Sequence, residues 1–287
     1  MQEGREEERH RATRSGAARI GAGEKGSGAV SVAEAGTTEE VDASDFDFRP
    51  APGDANGAAV LCLHGLTGTP YEVRPIAEAL VARGVRARGP WMAGHEDGSE
   101  ALAKTTYQDW IELARGELAK LKAEHDRVFL VGMSMGGLVS LRLAETEKVD
   151  AVVVIGTPLV LGPPIPQILP LVRLFASSRQ KTGSDIQEPG ARARHPGLDA
   201  MPLASVAELI KLQAKVVPAL SEIDVPILVA HGRLDTTARP RDAERVYREV
   251  SSTDKELFYL ERSGHVATVD YDGPALARAA ADFLGRR

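Results

Sequence analysis

The chain of 287 residues carries 35 Lys and Arg against 41 Asp and Glu, a formal net charge of −6. That balance offers no basic footprint for nucleic acid, and no run of 18 apolar residues is present to span a bilayer as a helix. The apolar content of 43% suffices for a core, and the single cysteine, Cys62, excludes an intrachain disulfide.

Residues 1–44 are mostly Gly, Ala, Glu, Arg and Ser with almost no apolar periodicity. Such a segment cannot bury enough surface to offset its ordering entropy, so it is expected to be a disordered tail. Its charges stand where a secretory leader would need an apolar stretch, and the expected location is the cytoplasm. One domain over residues 45–287 is expected to follow, with a single insertion.

Phe46-Asp47-Phe48 alternates as a short edge strand, and Gly53–Gly57 is a turn cluster. Ala58–Leu63 is continuously apolar, the pattern of a parallel strand covered on both faces. After the turn His64-Gly65-Leu66-Thr67-Gly68, the spacing predicts a helix to about Arg83. Its start reads as a capping box, with Thr69 as N-cap, Pro70 in the first helical position and Glu72 closing the box. Val85–Gly89 reads as a brief strand, Pro90–Glu100 as a polar loop and Thr106–Glu124 as an amphipathic helix.

Val128–Val131 then runs into Gly132-Met133-Ser134-Met135-Gly136, followed by a helix-like segment, Leu138–Thr146. Strand, Gly-x-Ser-x-Gly and helix in succession make the outline of a nucleophile elbow. A serine pushed clear of a sheet needs a strained backbone, and side chains two positions to either side would strike the strand and helix. The glycines alone would also suit any close strand–helix contact; the flanking elements favour the elbow.

Val149–Ile155 is a further buried strand. From Leu159 to Ser221 the rhythm breaks into Pro-rich, patchily apolar sequence without a clear strand, and Lys181–His195 within it reads as a polar, mobile flap. Pro226–Ala230 restores the strand pattern. Arg239–Val250 reads as a helix, Glu256–Leu260 as a strand and Pro274–Leu284 as a closing helix. Alternating strands and helices mean a mostly parallel sheet flanked by helices, with functional groups gathered beyond the carboxyl ends of the strands.

A serine hydroxyl attacks only with a base in reach and an acid orienting that base. Among the seven histidines, only His265 follows both a plausible acid and the last strand. Asp235 is the one carboxylate in His231-Gly232-Arg233-Leu234-Asp235, the loop after the preceding strand. Ser134, Asp235 and His265 thus stand in the order nucleophile, acid, base. Oxyanion donors are expected from the backbone N–H groups of Leu66 and Met135. His64 is expected to brace the loop of Leu66 rather than to move protons, and His95 to be structural. No His, Cys, Asp or Glu cluster has metal-ligand spacing, and neither Gly-x-Gly-x-x-Gly nor a phosphate loop is present.

Together, His64-Gly65-Leu66-Thr67-Gly68-Thr69-Pro70, Gly132-Met133-Ser134-Met135-Gly136-Gly137, His231–Asp235 and Ser263-Gly264-His265 resemble the α/β-hydrolase superfamily. Within it they are most similar to small bacterial carboxylesterases and monoacylglycerol lipases. The resemblance implies an α/β fold with a cap insertion after the sixth strand, at about 159–221, and no cofactor or metal. The expected activity is hydrolysis of a small-molecule ester with a short to medium acyl chain, monoacylglycerols included, through an acyl-enzyme. A thioesterase, lactonase or peptidase using the same three residues remains open, as does a non-catalytic binding protein of the same fold. The oligomeric state is not legible.

Overall fold

A computed structural model describes residues 41–287. Most of the expected tail, residues 1–40, lies outside the described residues; Ala43 is already buried, and Asp42 pairs with Arg74 at 3.0 Å.

In chain order the first elements are β1 (Phe46–Phe48), β2 (Ala58–Leu63), α1 (Arg74–Val81), β3 (Arg86–Gly89), α2 (Ser99–Leu102) and α3 (Tyr107–Glu124). Then come β4 (Arg127–Met133), α4 (Met135–Thr146), β5 (Ala151–Ile155), α5 (Ile165–Val172), β6 (Ser178–Gln180), α6 (Pro189–Arg194) and β7 (Ala200–Pro202). The chain continues with α7 (Leu203–Val216), β8 (Ile227–Gly232), α8 (Pro240–Glu249), β9 (Lys255–Leu260) and α9 (Gly273–Gly285). The main sheet has the order β1-β3-β2-β4-β5-β8-β9, with β1 antiparallel and its other pairings parallel.

Strand periodicity builds two cores. Ala59, Leu61 and Leu63 of β2 face a cluster with Trp110 and Leu118 of α3 and Leu138 of α4. Ala58, Val60 and Cys62 face the other way, against Ile76 and Leu80 of α1 and Phe283 of α9. β5 repeats the division, with Val152 and Val154 on the first face and Val153 and Ile155 on the second. A sheet clothed on both sides explains why these strands read as unbroken apolar runs.

Two capping boxes test the same rule with opposite outcomes. At α3, Thr106 Oγ1 accepts from Asp109 N–H, and the Asp109 carboxylate accepts from Thr106 N–H at 2.7 Å. The box expected at Thr69 does not form. Pro70–Val73 is a 3-10 turn ahead of α1, Thr69 makes no cap, and Glu72 turns inward to other partners. Asp109 is solvent-exposed and free to serve its own backbone, whereas Glu72 is buried where a loop N–H and a cap histidine compete for it.

The insertion leaves the sheet after β5, the fifth strand in chain order among the described residues, and not after a sixth. It holds α5, α6, α7 and a two-stranded antiparallel ribbon, β6–β7, where no clear strand was expected. These strands are three residues long, and Ser178, Arg179 and Gln180 are all exposed, so no apolar alternation marks the first of them. The segment 181–195, expected as a flap, is anchored: Asp270 accepts from the N–H groups of Gln187 and Glu188 at 2.8 and 2.9 Å. Among the described residues no helix is long and apolar enough to cross a membrane.

Candidate active site

Strand register decides which loops meet. Leu63 pairs with Gly132, Met133 with Ile155, and Gly232 with Leu260, so the carboxyl ends of β2, β4, β5, β8 and β9 open on one rim. Ser134 sits between β4 and α4 with φ 53° and ψ −114°, a strained setting for a residue with a side chain. Its N–H donates to Ile155 O at 2.8 Å, which ties the turn to β5. A Cβ at Gly136 would lie 2.6 Å from the Leu63 carbonyl carbon and 2.8 Å from His64 O. The glycine is what lets α4 begin against the end of β2.

The structure brings Ser134, Asp235 and His265 together from three loops. His265 Nε2 lies 2.9 Å from Ser134 Oγ, and its Nδ1 lies 2.8 Å from Asp235 Oδ2. With Nδ1 protonated and donating to Asp235, Nε2 is left as the acceptor for the serine hydroxyl. Asp235 Oδ1 accepts the N–H groups of Thr237 and Ala238 at 2.8 and 2.7 Å. Burial opposes ionisation of Asp235, but the neighbouring His265 and hydrogen bonds from His231 and His265 outweigh it and hold the carboxyl well below its ordinary range. Burial also opposes protonation of His265; the facing Asp235, with Asp185 and Glu72 farther off, reverses that and raises its pKa above the ordinary value.

Of the two residues expected as oxyanion donors, Leu66 lines the cavity beside Ser134, and Met135 directly follows Ser134 in the chain. Met135 is the first residue of α4, where N–H groups have no helical acceptor and the helix dipole is positive. Leu66 N–H meets no protein acceptor among the described residues. His64 fastens this region: its Nε2 accepts Met92 N–H at 3.0 Å, and its Nδ1 lies 2.9 Å from Gly65 O. The ring of His95 packs edge-on against it, and burial pushes the His95 imidazole down to about 3.

A cavity of about 500 Å³ opens beside Ser134 and His265. Leu161, Ile165, Leu169, Met201, Val206 and Leu209 of the insertion line one side of it. Thr67, Glu72, Ser184, Asp185 and His195 form a polar region of the same wall. Among the described residues, no group of three or more His, Cys, Asp or Glu is placed to hold a metal ion.

Three residues here were given no part in the site by the sequence. His231 Nε2 stands 3.0 Å from Asp235 Oδ2, giving that oxygen a second nitrogen neighbour; its spacing four residues before Asp235 was the available signal. Asp185 accepts from Thr236 N–H and Oγ1, both at 2.8 Å, and its main-chain oxygen takes Val266 N–H. It joins the insertion to the loops of Asp235 and His265, and nothing in its sequence neighbourhood announces it. Glu72, read as a helix cap, borders the cavity.

A family model described as serine aminopeptidase, S33 matches residues 54–272. A thermostable monoacylglycerol lipase of Bacillus sp. (strain H-257) is 31% identical over 237 residues, covering 79% of this chain and 90% of that protein. A carboxylesterase of Bacillus subtilis (strain 168) is 28% identical over 230 residues, covering 79% and 92%. A solved structure reported for the metagenome-derived lipolytic enzymes LipS and LipT superposes with a TM-score of 0.79 at 26% identity, over 85% of this chain and 98% of that one. With a mostly parallel sheet, an elbow serine and a family match spanning most of its length, the chain belongs to the serine aminopeptidase S33 family of α/β-hydrolases and is a hydrolase.

Proposed function

We propose that the protein is a serine carboxylic ester hydrolase, acting on short to medium acyl esters or monoacylglycerols, with Ser134 as nucleophile, His265 as general base and Asp235 as its orienting acid. The observation that carries this is the unbroken hydrogen-bonded chain Ser134–His265–Asp235 opening on a largely apolar cavity. His265 Nε2 takes the hydroxyl proton as Ser134 Oγ attacks the ester carbonyl carbon. The carbonyl oxygen becomes an oxyanion held by the N–H groups of Leu66 and Met135. Collapse breaks the bond to the alcohol, which leaves with the proton from His265. A water, deprotonated by the same nitrogen, then attacks the acyl carbon; the acid departs and Ser134 regains its proton.

Residues 45–287 form one hydrolase domain in this reading, with the segment at about 159–221 as a cap whose apolar side receives the acyl chain. A cytoplasmic location is part of the proposal; the single free Cys62 is compatible with it, and cell fractionation tests it.

The test is Ser134→Ala, which lowers turnover of an ester by about 10⁶-fold while circular dichroism and thermal midpoint stay near wild type. Substrates span p-nitrophenyl esters of increasing acyl length, monoacylglycerols, acyl thioesters, lactones and aminoacyl p-nitroanilides. Turnover retained by the alanine variant removes Ser134 from the mechanism. Preference for thioester, lactone or anilide reassigns the substrate and leaves the residue roles intact. A wild-type protein that neither hydrolyses any of these nor reacts with a fluorophosphonate is a binding protein.

A further inference from the structure

The proposed chemistry leaves one buried carboxylate of the cavity wall unused. Glu72 is 3% exposed and lies in the 3-10 turn just past the Leu66 loop. Its Oε2 accepts Gly65 N–H at 2.9 Å, and its carboxylate fills the space that a Cβ at Gly68 would need. Oε1 faces His195 Nε2 of the cap at 3.2 Å, off the line of a hydrogen bond, while His195 Nδ1 meets Ser184 Oγ at 2.7 Å.

The cap touches the loop at three further points. Thr67 O accepts Leu198 N–H at 2.9 Å, Lys181 Nζ donates to Thr67 Oγ1 at 3.1 Å, and Thr69 Oγ1 donates to Pro196 O at 3.3 Å. The loop itself is a turn closed by Gly68 N–H on Gly65 O, with Thr67 at φ 60°. Glycine or asparagine ordinarily takes that place in a turn; a β-branched residue holds it only where its surroundings fix it.

Geometry links these clamps to catalysis. The Leu66 N–H belongs to the same planar peptide as Gly65 O, and in a trans peptide the two point in opposite directions. Gly65 O is held by Gly68 N–H at 3.1 Å and by His64 Nδ1 at 2.9 Å. Fixing that oxygen fixes the direction of Leu66 N–H. Glu72 holds the peptide before it, and the cap holds the residue after it.

We propose that Glu72 is a positioning residue that aims the Leu66 N–H into the oxyanion hole, and that the cap segment His195–Leu198 completes the same clamp. This rests on the ester-hydrolase reading. It assigns the buried carboxylate to the backbone rather than to the substrate: it acts through Gly65 and never touches the ester. Its ionisation is compatible with that duty, since His195 and His64 beside it and Gly65 N–H outweigh burial and hold its pKa at about 2. The cap then has a catalytic consequence on its polar side, separate from its contact with the acyl chain.

The test compares Glu72→Ala, Glu72→Gln and His195→Ala with wild type. Each is measured for kcat and KM on one p-nitrophenyl ester, for inhibition by an alkyl trifluoromethyl ketone, whose adduct needs the oxyanion hole, and by the uncleavable ether analogue, which does not. Glu72→Ala is expected to lower kcat and trifluoromethyl ketone affinity together, by roughly 10–100-fold, less than the roughly 10²–10³-fold that outright loss of one oxyanion donor costs, because the donor is misaimed and not removed. KM and ether affinity stay within about threefold. Glu72→Gln keeps an oxygen for Gly65 N–H and recovers most of the loss, and His195→Ala shows a smaller change in the same direction. Should Glu72→Ala fail to fold, His195→Ala and Glu72→Gln carry the same comparison. Hydrogen exchange at the Gly65–Gly68 amides gives a readout independent of substrate, with faster exchange expected in Glu72→Ala. An inactive wild type with faster exchange in the variant would sink the ester reading and keep the clamp. Unchanged kcat, inhibitor affinity and exchange in Glu72→Ala overturn the clamp, and so does an equal loss of ketone and ether affinity, which marks general collapse of the cavity.

Discussion

Replacing Gly136 with alanine adds one methyl group where α4 begins against β2. That Cβ would overlap Leu63 O and lie 2.6 Å from Leu63 C and 2.8 Å from His64 O. All three obstacles are backbone, so no side chain can swing away. Relief requires α4 to retreat from β2 by roughly 1–1.5 Å, measured against an ordinary carbon–oxygen contact of about 3.5 Å. Overpacking of this kind costs about 1–3 kcal/mol, and an obstacle that cannot yield puts Gly136→Ala at the upper end. In a domain of this size about 3 kcal/mol corresponds to a thermal midpoint lower by roughly 6–12 °C. The retreat also carries Ser134 and Met135 with it, and a displacement near 1 Å at a reacting centre costs on the order of 10²-fold in rate. The control is the same substitution at Gly116, on the exposed face of α3, where an added Cβ meets nothing within 4 Å. There alanine removes a helix-interior glycine and stabilises by about 0.5–1 kcal/mol. Differential scanning calorimetry and active-site titration read both variants. A Gly136→Ala midpoint within 1 °C of wild type, with turnover intact, would falsify the close-approach account of the elbow.

The pH profile follows from His265. The base must be neutral to accept the serine proton, and the facing Asp235 raises its pKa from the ordinary imidazole value, so kcat/KM falls as pH drops through an inflection on the alkaline side of an ordinary histidine's; a rate flat down to pH 5 excludes an imidazole base. Asp235→Asn places an amide where His265 Nδ1–H and two backbone N–H groups need an acceptor. It is expected to cost about 10³–10⁴-fold in kcat with the fold intact, and a loss under tenfold would deny Asp235 its orienting role. Leu209→Trp adds bulk at the apolar part of the cavity lining. Esters of long acyl chains are expected to lose about tenfold or more in kcat/KM while acetyl esters stay within twofold, and a uniform loss across chain lengths would move the acyl chain elsewhere.

The parts of the site written locally were legible in the sequence. A strand running into Gly-x-Ser-x-Gly constrains its own backbone, so Ser134 could be placed from ten neighbouring residues. Asp235 and His265 were found by their position after strands, because a parallel sheet delivers its loops to one rim whatever lies between. What failed was side-chain choice. Thr69 and Glu72 satisfy a helix-start rule, yet tertiary burial gave Glu72 better partners 7 and 123 residues away, Gly65 and His195. The insertion was legible only as broken rhythm. Its ribbon is too short for periodicity, and its anchors to Asp270 and Thr236 depend on where the chain folds back, which no local pattern encodes.

Where the insertion departs from the sheet settles what it can reach. β5 lies between β4, which ends at the elbow, and β8, whose loop carries Asp235. A segment leaving the carboxyl end of β5 therefore emerges directly beside Ser134. It must return to β8, and it runs as far as Thr67 at the end of β2 before α7 brings it back. That path makes one piece of chain border the serine, the acid loop through Asp185 and the Leu66 loop through Leu198. An insertion leaving β9 at the sheet edge would span fewer of these loops. Changes in this segment that alter the acyl wall are accordingly expected to disturb the geometry beneath Leu66 as well, unless they are confined to α5, which makes none of the loop contacts found at residues 181 and 195–198.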